Sequence, residues 1–311
     1  MTSCTVSVVV PVFNPGAFLE ELLASLAAQD FDQEWELILA DNGTTDGSLQ
    51  VVEQFSETIS VQVVDATARR GPAFARNVGA SAAESDWLAF CDADDVTSPG
   101  WLSALYSMRE SADFIAGSLD IERLNSPELV WLRGGAKLSQ SVLHGPQDFL
   151  PFALSGNFLI GRRLYLDSGG FDEEVYGGPT LFGGEDIDFS WRLQLAGHTI
   201  GYADEAVIYW RFRTTTYGIF KQARAYRRGY AVLFSRFGGA GMPAPPRGDL
   251  RRRFWWVASR LPFVVMGTRR RLFWVNRLGE LAGTWWGRKY ARSHQPSAEL
   301  SAGRRDSVGG Q

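Results

Sequence analysis

Asp92, Asp94 and Asp95 place three carboxylates within four residues, directly after the apolar run Trp-Leu-Ala-Phe-Cys at 87–91. Acids this close repel one another and raise one another's pKa. A divalent ion removes that penalty, and Mg²⁺ or Mn²⁺ suits one or two carboxylates completed by the phosphates of a substrate. The same residues would also serve as a solvated turn leading to Ser98-Pro99. A second set is basic: the stretch ARRGPAFARNVG brings Arg69, Arg70 and Arg76 around a glycine and the start of a helix. Free N–H groups at a helix N-terminus favour an anion. The stretch matches neither the dinucleotide pattern G-x-G-x-x-G nor the phosphate loop G-x-x-x-x-G-K-[ST], and an ordinary strand-to-helix loop would read the same way. A third set, Glu185 and Asp186, follows Gly183-Gly184 in a first helical turn. The positive end of a helix keeps such carboxylates ionised, either as plain dipole complementation or as a base for an attacking hydroxyl. Asp188 and Arg192, four apart, are expected to form a surface pair.

These groups need a frame, and the apolar pattern supplies one. Residues 6–11, 35–40, 61–64 and 87–91 read as short, near-continuous apolar strands. Between them lie helical stretches: one carrying Phe18, Leu19, Leu22, Leu23 and Leu26, one at 49–55 and one at 73–83. Asn14 and Pro15 read as cap and first position of the first helix. Alternating strands and helices of this kind predict a parallel sheet covered on both faces, whose ligands bind beyond the carboxyl ends of the strands. The polar groups fall at those ends: Phe13-Asn14, Asp41-Asn42, Asp65 and the aspartates at 92–95. Residues 119–155 carry no clear pattern. A helix over 185–196 closed by Gly197, two short strands near 199–202 and 206–210, and a long helix over 216–237 complete the elements.

The 311 residues suffice for one large α/β domain with additions, or two small domains. Two cysteines, Cys4 and Cys91, build no disulfide framework and no C-x-x-C metal pair, so reduced thiols and a cytoplasmic protein are expected. The start MTSCTVSVVVPVF has no basic segment ahead of its apolar run, and no stretch has the ~18 uninterrupted apolar residues of a spanning helix. Secreted, collagenous and polytopic classes are therefore not expected. The net charge of −4 hides a division: residues 1–210 carry 10 Lys and Arg against 31 Asp and Glu, residues 211–290 carry 18 against 2. Two surfaces with different partners are expected, one recruiting a cation and one meeting an anion.

In order and spacing, VSVVVPVFN, DNGTTDGS, RRGPAFARNVGA, FCDADD, LSGNFLIGRRLYLDSGGFDE and GGEDIDFSWRLQLAGH together resemble the family 2 glycosyltransferases of the GT-A fold, over about residues 7–213. The resemblance implies an α/β fold, a nucleotide-binding, mostly parallel sheet flanked by helices. It implies a glycosyltransferase domain at 1–213, with a nucleotide-sugar-binding half at 1–118 and an acceptor-binding half at 119–213. A helical, basic, Trp-rich region at 214–292 and a disordered tail at 293–311 would follow. By the same resemblance Phe13 lies near the donor base, Asp41 bonds it, and Pro11, Asn14 and Asn42 belong to the donor site. Arg76, with Arg69 or Arg70, sits by the diphosphate. Asp92 and Asp94 are the D-x-D pair for ribose and metal, with Asp95 close by. Asp186 is the general base, and Glu185 beside it touches the acceptor. The implied reaction is inverting, with a nucleoside-diphosphate sugar donor, a glycan or lipid-linked acceptor and Mg²⁺ or Mn²⁺ as cofactor, as in building cell envelope polysaccharide. One departure stands: where many relatives carry a metal-completing His, this chain reads VIYWRFR, with Tyr209 or Trp210 at the place and His198 nearby as a strand-edge histidine.

Arginine clusters alternate with Phe254-Trp255-Trp256, Phe273-Trp274 and Trp285-Trp286. Basic and aromatic faces together suit an anionic membrane surface at 214–290, peripheral to the inner face of the membrane. Docking on the acidic part of the chain is the next reading, and nucleic acid comes last because no nucleic-acid motif is present. Two other function classes compete with the enzyme: a non-catalytic sugar-nucleotide-binding relative acting as an interaction protein, and a nucleotidyltransferase. The latter needs a Gly-rich loop with a Lys after the first strand, and PVFNPG has neither.

Overall fold

The computed structural model describes residues 4–133, 143–144, 148–176, 183–244, 249–265 and 267–293. The expected tail at 293–311 thus falls outside the described residues, save Ser293 at the end of the last helix. The chain divides into two compact units. The first takes Met1–Leu143, Pro151–Pro179 and Glu185–Phe212, and the second takes His144–Leu150, Thr180–Gly184 and Arg213–Gln311.

The first unit is built on an eight-stranded sheet. Its elements run β1 (Val6–Val12), α1 (Phe18–Ala27), β2 (Trp35–Asp41), β3 (Val61–Asp65), α2 (Pro72–Ala82), β4 (Trp87–Cys91), β5 (Val96–Thr97), α3 (Trp101–Ser107), β6 (Phe114–Asp120) and α4 (Pro127–Leu132). The two-residue strands β7 (Leu143–His144) and β8 (Pro151–Phe152) follow, then β9 (Asn157–Gly161), α5 (Arg162–Asp167), α6 (Glu173–Tyr176), α7 (Glu185–Leu195) and β10 (Ile200–Tyr209). Strand order is β3-β2-β1-β4-β9-β6-β10-β5. The first four are parallel, as their apolar runs predict, and β6 is parallel to β10. β9 runs antiparallel to both β4 and β6, and β5 antiparallel to β10, so the sheet is mixed. Order reverses at β1, which places the ends of β1 and β4 side by side at the rim where ligands bind in such sheets.

Burial follows the pattern. Val6, Val8, Val9, Val10 and Val12 of β1 are fully buried, with one cluster on each face of the sheet. On α1 the buried stripe is Leu19, Leu22, Leu23 and Leu26, each contributing about 1.5–3 kcal/mol by burial. Phe18 instead lies exposed under the Arg211 guanidinium, 4.2 Å from its ring centre.

Four local expectations are corrected. Asn14 does not cap α1, whose N-cap is Ala17; Asn14 has φ 48 and its Oδ1 accepts from the Thr45 amide at 2.8 Å, holding the β1 loop to the β2 loop. The stretch Ser48–Phe55 is a 3₁₀ helix, whose Leu49, Val51, Val52 and Phe55 lie half-buried against the core. The two strands expected at 199–210 are one, β10, with a register shift between Ala203 and Val207 that mimics a break. Asp188 and Arg192 are no surface pair: Asp188 is fully buried, taking Arg192 Nε at 2.8 Å and the Tyr176 hydroxyl at 3.2 Å, while Arg192 also donates to the Ser168 and Gly170 carbonyls.

The second unit is helical: α8 (Thr216–Phe237), α9 (Asp249–Ser259) and α10 (Thr268–Ser293). The Thr215 hydroxyl caps α8 by accepting from the Gly218 amide. α10 lies on α8 through Gly279, Gly283 and Gly287, four residues apart. A Cβ at Gly279 would stand 2.5 Å from the Phe220 carbonyl, and one at Gly283 2.5 Å from the Arg224 carbonyl.

Candidate functional site

The site assembles at the carboxyl rim of the first unit, around one buried cation. Arg76, on the second turn of α2, is 3% exposed. Its Nη2 donates to Asp92 Oδ1 at 2.5 Å, and its Nη1 lies 3.7 Å from Glu185 Oε1. The end of β4 and the start of α7, about ninety residues apart in sequence, are thus joined through one guanidinium. Nη1 and Nε carry no hydrogen bond, so the group retains donors. Burial works against its charge, but Asp92, Glu185 and Asp186 outweigh that and hold it protonated above its ordinary value. Its Cζ also lies 5.6 Å from the centre of the Phe171 ring.

The three aspartates after β4 do not share one environment. Asp92 is half-buried on Arg76, and the loop before β9 closes over it: a Cβ on Gly156 would meet Asp92 Oδ2 at 2.7 Å. Asp94 is half-buried on the same turn. Asp95 is buried and turned inward, its Oδ1 accepting from the Arg211 amide at 2.7 Å. Burial, then Asp94 and Asp92, push its carboxyl well above the usual range. Arg211, from the YWRFR stretch, also donates from Nε to the Asp94 carbonyl at 2.9 Å and from Nη2 to Glu21 Oε2 at 2.6 Å. From that stretch it is Arg211, rather than Tyr209 or Trp210, that holds the aspartate turn. His198 sits at the opposite rim, its Nδ1 3.5 Å from Asp113 Oδ1 at the amino end of β6.

Glu185 and Asp186 open α7. Gly183 and Gly184 before them both have φ 105, which lets the chain turn sharply into the helix. Glu185 is buried beside Arg76, whereas Asp186 is half-buried. Burial first, and then the Glu185 charge, raise Asp186 from 3.8 to about 7.

The remaining candidates spread along the ends of β1, β2 and β3. Pro11 is in β1 itself. Phe13 is exposed, with the Arg70 guanidinium 4.6 Å from its ring centre. Asp41 Oδ1 accepts from the amides of Gly43 and Thr44, at 3.1 and 2.8 Å. Asn42 is buried: its Nδ2 donates to the Ala66 and Arg69 carbonyls and its Oδ1 accepts from the Gly71 amide at 2.8 Å. It clips the loop that carries the arginines. Arg69 leans away to Glu173 Oε2 at 3.4 Å.

Two residues here had no weight in sequence terms. Arg211 is one; its only signal is that it follows a strand ending at the same rim. Asn157 is the other. Buried at the start of β9, it donates to the Ser118 and Ala206 carbonyls at 2.7 and 3.1 Å and accepts from Trp101 Nε1 at 2.8 Å. A polar residue opening the apolar run NFLIG was the available sign.

The donor set after β4 is hard oxygen, which suits Mg²⁺ or Mn²⁺. Among the described residues no three His, Cys, Asp or Glu side chains converge to hold a metal alone. Two carboxylates on one turn fit an ion whose other ligands come from a substrate.

A family model described as glycosyl transferase family 2 matches residues 7–167. Among curated proteins, the poly(ribitol-phosphate) beta-N-acetylglucosaminyltransferase TarS of Staphylococcus aureus is 28% identical over 210 residues, covering 66% of this chain and 35% of its own length. The GalNAc(5)-diNAcBac-PP-undecaprenol beta-1,3-glucosyltransferase of Campylobacter jejuni is 28% identical over 175 residues, covering 55% of this chain and 56% of its own length. The chain therefore spans only part of the relatives it matches. Among solved structures, residues 1–349 of TarS in complex with UDP-GlcNAc superpose with a TM-score of 0.54 at 20% identity, covering 94% and 92% of the two chains. The mannosyltransferase PcManGT of Pyrobaculum calidifontis, in complex with GDP-Man and Mn²⁺, gives 0.56 at 17% identity, covering 97% and 79%. These structures establish the GT-A architecture of the sheet.

Proposed function

Since the chain belongs to glycosyl transferase family 2, we propose that it transfers a sugar from a nucleoside diphosphate to an acceptor hydroxyl with inversion. The observation that carries this reading is Arg76, whose one guanidinium faces both Asp92 and Glu185 and so sets the D-x-D turn beside the acid pair of α7. Phe13 offers an exposed ring to the base, and Asp41 an acceptor beside it. Arg76, with Arg70, which stands over Phe13, would meet the diphosphate; Asn42 holds the loop in shape. Asp92 and Asp94 are the carboxylates for ribose and metal. Bound there with the donor, Mg²⁺ or Mn²⁺ would offset the negative charge growing on the departing diphosphate.

Asp186 takes the proton from the acceptor hydroxyl as that oxygen forms its bond to the anomeric carbon. The bond to the diphosphate breaks on the opposite face, so one displacement inverts the centre. Glu185 and Arg76 set the charge around the base. Lipid-linked or glycan acceptors, as the names of the relatives carry, are the class expected. The basic region at 214–290 is read as facing an anionic membrane at its cytoplasmic side. Among the described residues no helix is long and apolar enough to cross a membrane.

The metal is tested by thermal shift. The donor-induced rise in Tm of the wild type is expected to grow with Mn²⁺, because a ligand that binds only the native state stabilises it. Asp94→Asn is expected to lose the Mn²⁺-dependent part. An equal rise in both proteins, with and without Mn²⁺, would remove Asp94 from the metal site.

The base is tested by pH. With Asp186 at about 7, the ionised form is lost as pH falls through that value. The rate under kcat/KM conditions is therefore expected to drop about tenfold per pH unit below it. The sign for folding is opposite: an acid raised in the folded state holds its proton there, so its contribution to stability falls as pH rises from about 4 to 7. A flat rate profile from pH 5.5 to 8 would exclude Asp186 as the base.

A further inference from the structure

The second unit carries a groove of about 700 Å³ between α8, α9 and α10. Arg224 and Arg228 of α8 and Arg251 of α9 line it together with Phe254, Trp255 and Trp285. These three aromatics are 53%, 69% and 62% exposed. Large aromatics left this open on neighbouring helices mark a surface for an apolar partner. The charge around them is one-sided. Glu280 is the single acid among the described side chains of the three helices, and it pairs with Arg227, Arg253 and Arg277. Arg224, Arg228 and Arg251 add to the positive charge of these helices. Arg224 and Arg228 stand one helical turn apart, and burial followed by the Arg224 charge pulls Arg228 below its ordinary pKa. An anion between them relieves that repulsion.

We propose that this groove binds an anionic membrane lipid, its phosphate at Arg224, Arg228 and Arg251 and its acyl chain along Phe254, Trp255 and Trp285. The inference deepens the membrane reading above and rests on it, but not on the transferase chemistry, which uses the first unit. It differs from a charged surface lying flat on headgroups, because it requires acyl chain to enter between helices. A nucleic acid would meet the same arginines through its backbone, but would place no hydrocarbon against Trp285.

The test uses the full chain and vesicles of phosphatidylcholine with or without about one third phosphatidylglycerol. Wild type is expected to co-sediment with the anionic vesicles, and its tryptophan fluorescence to be quenched by phosphatidylglycerol brominated on the acyl chain. Phe254→Ala with Trp285→Ala is expected to weaken binding about tenfold and to lose most of the quenching. Arg224→Gln with Arg228→Gln is expected to lose the preference for phosphatidylglycerol. Donor-induced thermal shift in each variant checks the fold and reports the transferase reading separately. Binding to anionic vesicles without bromine quenching, and unchanged in Phe254→Ala with Trp285→Ala, overturns the groove and leaves the charged membrane surface standing. No binding to either vesicle overturns both. Displacement of the vesicles by a short oligonucleotide, or a dimer in sedimentation that Trp285→Ala dissociates, assigns the groove to another occupant and also overturns the proposal.

Discussion

Asp186→Asn is expected to lower kcat by about 10²- to 10⁴-fold while leaving the affinity for the sugar nucleotide within a factor of a few. The asymmetry follows from where the residue sits. Asp186 stands in the first turn of α7, whereas Phe13 and Asp41 stand at the ends of β1 and β2, and its amide replacement keeps size and shape but removes the proton acceptor. Removal of an interaction used only in the transition state lowers kcat and kcat/KM together. Initial rates with saturating donor, and donor binding by calorimetry, separate the two quantities. If kcat changes less than tenfold the proton leaves by another route, and if donor binding collapses Asp186 belongs to the donor site instead. A non-catalytic sugar-nucleotide-binding protein would show no turnover in the wild type to lose.

Arg76→Met is expected to cost about 3–5 kcal/mol of folding stability at neutral pH, the range for stripping one partner from a buried ion pair. Methionine fills most of the volume, so the loss reads charge more than packing. It leaves Asp92, Glu185 and Asp186 facing one another without the cation between β4 and α7. Their mutual repulsion is then uncompensated by the guanidinium. The stability deficit should shrink as pH falls from 7 to 5, because protonation removes the repulsion that the guanidinium no longer offsets. Urea denaturation at the two pH values measures this directly. Arg76→Lys tests geometry: it restores the charge but not the two-armed reach to both acids, so stability should recover further than activity. A deficit that stays constant with pH would mean that Arg76 acts through packing against Phe171 alone.

Much of this was written in local pattern. The apolar runs at 6–11, 35–40, 61–64 and 87–91 became β1 to β4 to within a residue or so at their ends; β1, β2 and β4 are central and need a continuous apolar stretch, whereas β3 lies at the sheet edge with Val63 exposed. The 216–237 helix was legible from its spacing; the Thr215 cap ahead of it came only from the structure. The ends of the four strands located Asp41 and the aspartates at 92–95 at one rim, and the GGED stretch located Glu185 and Asp186 at a helix start. The seam of Gly279, Gly283 and Gly287 was equally open to reading, as glycines every fourth residue in a helix serve close approach, yet arginine and tryptophan content dominates that stretch.

What composition and spacing determined, then, was the kind of group and the rim on which it stands: carboxylates after one strand, arginines in one loop, an acid pair at one helix. Which of them meet was decided only in three dimensions. The antiparallel entry of β9 next to β4, the inward turn of Asp95 onto the Arg211 amide and the placement of Arg76 between Asp92 and Glu185 all join residues far apart in the chain. Periodicity reports how much of a side chain's surface must leave water. It carries no record of its partner, because a buried charge is stabilised by whatever opposite charge the packed elements bring within a few ångströms, and that distance exists only once the sheet has closed.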